Sequence, residues 1–66
     1  MLLIISEHAK DKMEAFNFSP NDIKIAIERG SITKQTNGFL ACYTYYGVAY
    51  KILWDKAYKV KTVFIL

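Results

Sequence analysis

The sequence predicts a small α+β domain: β-α-α followed by a three- or four-stranded antiparallel meander, with both helices packed on one side of the sheet. Three observations carry this expectation. Two consecutive segments, residues 7–16 and 20–29, place apolar residues at helical spacing behind a serine. The residues after Gly30 are dominated by β-branched and aromatic side chains, with glycine only where turns are expected. Finally, 66 residues allow one domain with one small core, and a composition that is 53% hydrophobic supplies the material for a dense one.

Leu2 to Ile5 is short, apolar and partly β-branched, which suits a strand covered on both faces. Ser6 ends it, because its hydroxyl accepts from a free amide of a helix that follows, and Glu7 favours the positive end of that helix. The first helix spans Glu7 to Phe16, with Ala9, Met13 and Phe16 on one face and Lys10, Asp11 and Glu14 turned to solvent. The second begins at Ser19-Pro20-Asn21-Asp22, where Ser19 caps, Pro20 takes the first helical position and the Asp22 carboxylate reaches back to the cap. Its buried stripe is Ile23, Ala26 and Ile27, and Arg29-Gly30 supplies a cation and a left-handed stop. Ile25 lies off that stripe, which predicts association with itself or with a partner.

Ser31 to Thr36 reads as a polar strand before the hairpin pair Asn37-Gly38. Phe39 to Tyr45 is the next strand, Val48 to Trp54 follows a turn at Tyr46-Gly47, and Lys59 to Leu66 closes the chain after a loop at Asp55-Lys56. The apolar run Val63-Phe64-Ile65-Leu66 suits a central position in the sheet. No repeat, linker or low-complexity segment interrupts the chain.

Nine Lys and Arg against six Asp and Glu give a net charge of +3, which favours encounter with nucleic acid or an acidic protein. A single cysteine, Cys42, cannot form an internal disulfide and implies a reduced, cytoplasmic setting. The opening apolar run has no basic leader and ends at Glu7, so no targeting segment is expected, and no apolar stretch approaches the roughly 20 residues that span a bilayer. No membrane partner is expected. Cys42 and His8 are too few for a zinc site, and no phosphate-binding loop, carboxylate pair or serine triad is visible, so no metal or cofactor is expected.

Ser6, His8, Ala9 and Met13, then Ser19, Asp22, Ile23, Ala26, Ile27 and Gly30, and finally Lys61-Thr62-Val63-Phe64 together resemble the domain of unknown function 4258 family. Its members open with Ser-x-His-Ala-x-x-Arg-Met and close with a Thr-Val-aromatic strand, and the resemblance covers nearly the whole chain. It implies a fold related to RelE-like and BrnT-like toxins of toxin-antitoxin pairs, many of which cut RNA without a metal. RNA and an antitoxin-like protein are the partners so implied. The chain departs from the pattern at Lys12 and Phe16, where arginines are usual, and at Asn17, where glycine is usual.

His8 and Lys12 sit one turn apart beside the apolar stripe. On one reading His8 is the general acid or base of a metal-independent endoribonuclease, and Lys12 stabilises the charge that develops on the phosphate. On the other, His8 fixes the helix to the sheet and Lys12 snorkels over the core edge. Tyr43, Tyr45, Tyr46, Tyr50 and Trp54, interspersed with Lys51, offer ring faces for base stacking beside a cation, with core or hairpin packing as their other use, since alternation prevents all of them from sharing one face. Tyr50, Lys51 and Lys61 are the candidate nucleic-acid contacts. The functional expectation is therefore a ribonuclease or RNA-binding module, with a non-catalytic protein interaction module of the same fold as the alternative.

Overall fold

A computed structural model describes the whole chain, residues 1–66. The elements run β1 (Leu2–Ile5), α1 (Glu7–Phe16), α2 (Pro20–Arg29), β2 (Ser31–Gln35), β3 (Gly38–Tyr43), β4 (Tyr46–Trp54) and β5 (Ala57–Ile65). This is the expected α+β order. The sheet has five strands rather than three or four, in the order β1-β5-β4-β3-β2, because the opening strand joins the meander. It is mixed rather than antiparallel throughout, since β1 runs parallel to β5. No helix is long and apolar enough to cross a membrane.

Helix boundaries fall where the local chemistry puts them. The Ser6 hydroxyl accepts from the Ala9 amide at 3.1 Å, and a reciprocal capping box joins Ser19 and Asp22. In it the Ser19 amide donates to the Asp22 carboxylate at 2.8 Å, and the Asp22 amide donates to the Ser19 hydroxyl at 3.3 Å. The left-handed stop appears after α1, at Asn17 with φ 60°, and not at Gly30. Gly30 has φ −76° and is extended. It is needed for a different reason: a Cβ there would lie 2.4 Å from the Ala26 carbonyl oxygen and 2.7 Å from that of Cys42, both backbone atoms that cannot yield.

Strand register assigns the faces. Across β3, β4 and β5, Ala41, Val48 and Val63 form one row, and Phe39, Tyr50 and Val60 another. These rows join Ala9 and Met13 of α1 and Ile23 and Ala26 of α2 in a single core, so both helices cover the same face. Phe18, between the helices, is also buried and packs its ring 4.6 Å from that of Tyr46. It escaped the sequence reading because a linker residue has no periodicity to reveal it. Phe16 and Ile27 are half-buried and pack against the core's margin, whereas Ile25 is half-buried without joining it and lies off the stripe, as its spacing predicts.

Three strand-level expectations need correction. β1 lies at the sheet edge, with Leu2 52% and Ile4 38% exposed, rather than covered on both faces. The β2–β3 connection is Thr36-Asn37, with Gly38 opening β3 at φ 146°. The β3–β4 turn is Thr44-Tyr45, where Thr44 takes φ 52°, while Gly47 lies inside β4 opposite Cys42. Gly47 serves close approach: the Phe64 ring would be only 2.6 Å from a Cβ there. A glycine marks either a turn or a missing side chain, and sequence alone does not distinguish the two.

Tyr46 ties the layers together, its hydroxyl donating to the Asp22 carbonyl at 2.7 Å. Burial, and then Asp22, Tyr43 and Tyr45, push its phenol above the usual 10, and burial followed by Tyr58 does the same to Tyr50. Both groups hold their protons more tightly folded than unfolded. Their contribution to stability is therefore complete below about pH 10 and is lost as pH rises through the folded values.

Two measurements check this account. Gly30→Ala should lower the unfolding free energy by about 1–3 kcal/mol, read as a reduced urea midpoint at unchanged m-value. Thermal melts should show a melting temperature that falls once pH exceeds about 10, and Tyr46→Phe should make that fall shallower.

Candidate nucleic-acid interface

The two helices cover one face of the sheet and leave the other open, and the register fixes what lies there. From one end to the other the rows are Trp54, Ala57 and Leu2; Lys51, Lys59 and Ile4; Leu40, Ala49 and Thr62; and Cys42, Gly47 and Phe64. Cys42 is half-buried in this surface.

Lys51 and Lys59 are directly opposite one another on adjacent strands, and both are exposed. Like charges in that relation repel and cost stability. The chain's one ion pair joins Glu7 to Lys10 on α1, so no carboxylate neutralises these lysines. Carboxylates are segregated from this face. Residues 1–30 hold Lys10, Lys12, Lys24 and Arg29 against Glu7, Asp11, Glu14, Asp22 and Glu28, a net of −1. Residues 31–66 hold Lys34, Lys51, Lys56, Lys59 and Lys61 against Asp55, a net of +4.

Lys61 has a structural tie that the sequence did not reveal. A register shift pairs Ala49 with Thr62 and Tyr50 with Val60, leaving Lys61 as the extra residue of a bulge in β5. Its carbonyl, displaced from regular pairing, accepts from the Ser6 hydroxyl at 2.9 Å. Its ammonium crosses β4 to donate to the Asn37 carbonyl, and lies 3.1 Å from where a Gly38 Cβ would be. Lys61 therefore braces the β2–β3 turn with one donor and keeps the others free.

Tyr50 is not a stacking surface. It is only 4% exposed and faces the helices, packed between the rings of Phe39 and Tyr58 at 5.6 Å each, on the opposite side of the sheet from Lys51. Alternation along β4 forces this, because Tyr50 and its neighbour Lys51 must point to opposite faces. The aromatic residues of the open face are Phe64, laid over Gly47, and Trp54, which is 59% exposed. Both were legible as strand aromatics, but their face depended on a register that the two bulges shift.

His8 is exposed on α1 and makes no hydrogen bond within the chain, so nothing orients its imidazole. Lys12, one turn on, is half-buried with its ammonium 5.7 Å from the Phe16 ring centroid, a cation–π contact that accounts for its position. The nearby surface depression on α1 is lined by Asp11, Glu14 and Ala15, and its carboxylates repel a phosphate. No three His, Cys, Asp or Glu side chains converge into a metal-binding group. Comparison with family models, with curated proteins and with solved structures finds no match to this chain.

If the Lys51–Lys59 contact is held against its own repulsion, removing it should stabilise the fold. Lys51→Gln is expected to raise the unfolding free energy by a few tenths of a kcal/mol, up to about 1. Added salt should stabilise the wild-type protein more than the variant, measured by urea titration at two ionic strengths.

Proposed function

We propose that this protein is a non-catalytic RNA-binding module that takes a single strand on the helix-free face of its sheet. The observation that carries the reading is the unneutralised pair Lys51 and Lys59, two cations aligned across β4 and β5 on a face without carboxylates. A phosphate backbone laid across this pair relieves its repulsion and releases counterions. Trp54, on the adjacent row, and Phe64, two rows away on the other side, offer apolar ring surface for bases, a contact that tolerates any sequence.

Binding is favoured over cleavage because His8 stands alone: a general acid or base needs a group that fixes its tautomer and a surface that holds the phosphate beside it. The imidazole has neither, and the adjacent depression is acidic. Lys51, Lys59 and the free donors of Lys61 carry the ligand's charge, while Lys12 is committed to Phe16.

A labelled single-stranded RNA of about twelve nucleotides, followed by fluorescence anisotropy, tests this. Binding should weaken with salt, and Lys51→Ala should reduce the slope of log K against log salt by about 0.7, as loss of one phosphate contact requires. His8→Ala should leave affinity and slope unchanged, and the RNA should emerge intact after incubation with a chelator. Absence of binding at low salt, or a slope indifferent to both Lys51→Ala and Lys59→Ala, overturns the proposal. Cleavage lost in His8→Ala restores the ribonuclease reading.

A further inference from the structure

The two edges of the sheet are treated differently. β2, at one edge, carries Ser31, Thr33, Lys34 and Gln35 around a single exposed apolar residue, Ile32, and polar or charged side chains of this kind discourage pairing with another strand. β1, at the other edge, is Leu2-Leu3-Ile4-Ile5, with no charge, no proline and no bulge. The Leu2 amide donates to the Lys56 carbonyl at 2.7 Å and the Ser6 amide to that of Val60 at 3.1 Å, so the even-numbered residues aim their backbone groups at β5. Backbone direction alternates along a strand. The N–H and C=O groups of Leu3 and Ile5 consequently point outward, where no strand of this chain lies. α1 leaves the edge open because it folds back over β5.

We propose that a second copy of this chain covers that edge, β1 pairing antiparallel with β1 about a two-fold axis perpendicular to the sheet. The outward groups dictate the register. Leu3 of each copy faces Ile5 of the other, which makes four backbone hydrogen bonds and brings the two Ile4 side chains together on the helix-free face. Leu3 and Ile5 both turn their side chains toward the helices, so this pairing keeps all four helices of the dimer on one side of a ten-stranded sheet. A second copy fits for three reasons. The strand is its own complement in this register. Edge pairing also separates the Lys59 side chains of the two copies by three strand spacings, roughly 14 Å, well beyond the ~8 Å Debye length at physiological salt. Stacking the open faces would instead press lysine on lysine. Lastly, Met1, Leu2 and Ile4 lie along this edge 41%, 52% and 38% exposed, so apolar side chains leave water as the two backbones pair.

This inference does not rest on RNA binding, although the dimer sets both lysine faces side by side. The intact chain is examined by light scattering across about 1–200 µM, a range over which a dimer of modest affinity assembles. The expected result is a mass that rises from one copy to two. Ile4→Lys should abolish the rise while the chain keeps the circular-dichroism spectrum of the folded protein, and Gln35→Lys, on the β2 edge, should not affect it. In a Cys42→Ser background, Ile4→Cys should form a disulfide-linked dimer under mild oxidation, because opposed residues of a non-hydrogen-bonded pair lie about 4.5 Å apart at Cα. Leu2→Cys, facing Ser6 of the other copy, should not. A chain that stays monomeric throughout overturns the proposal and leaves the edge to a strand of another protein. A dimer that survives Ile4→Lys and does not cross-link at position 4 overturns it in favour of another face.

Discussion

Coverage is the constraint on which the structure depends. Two helices of ten residues, each about 15 Å long, must supply the whole second layer for a sheet whose longest strands have nine residues, about 30 Å. They cover one face and only part of its length. The apolar material is concentrated accordingly: Ala9, Met13, Ile23 and Ala26 join Ala41, Tyr46, Val48, Tyr50, Val60 and Val63 in one core, and most residues of the helix-free face are partly or fully exposed. The open face, the apolar β1 edge and the exposed end of the β4–β5 hairpin all follow from this shortage of helix.

A short chain of polar contacts holds the layers in register. Ser6 caps α1 with one lone pair and donates its proton to the carbonyl of Lys61, at the bulge where β5 has lost its regular partner. The same lysine reaches across β4 to the Asn37 carbonyl. One residue thus connects the start of α1, the middle of the sheet and the β2–β3 turn. Tyr46 does the equivalent at the other end, linking β4 to the first turn of α2 through the Asp22 carbonyl. These bonds matter because apolar packing between a helix and a sheet is tolerant of sliding, whereas a hydrogen bond of fixed length is not.

Charge follows the same division. Carboxylates gather on the helices, where Glu7 and Asp22 favour the amino-terminal turns, and the strands receive lysine. Side chains on the solvent side of a half-covered sheet must be polar somewhere, and lysine also discourages unwanted edge pairing. A solvated face needs no more than that. Two lysines set directly opposite each other go further, because alternating charges would serve solubility without the repulsion.

The sequence by itself determined the helices and their ends, since caps, Pro20, Asp22 and the 3.6-residue spacing act within a few residues of one another. It also determined that the second half would be a sheet and that the last strand would lie inside it. His8 and Lys12 were legible as neighbours on a helix, and Lys51 and Lys61 as strand lysines. Only the tertiary structure decided which face each strand residue occupies. Face depends on register, and the bulges at Lys61 and Leu53 reset it in ways that no local pattern announces. That is why Lys59, not singled out by spacing, came to stand against Lys51; Tyr50 turned inward by plain alternation from Val48, once packing had set the face of β4. The parallel pairing of β1 with β5 was equally invisible, because it joins residues more than fifty positions apart and depends on α1 and α2 packing on one side of the intervening strands.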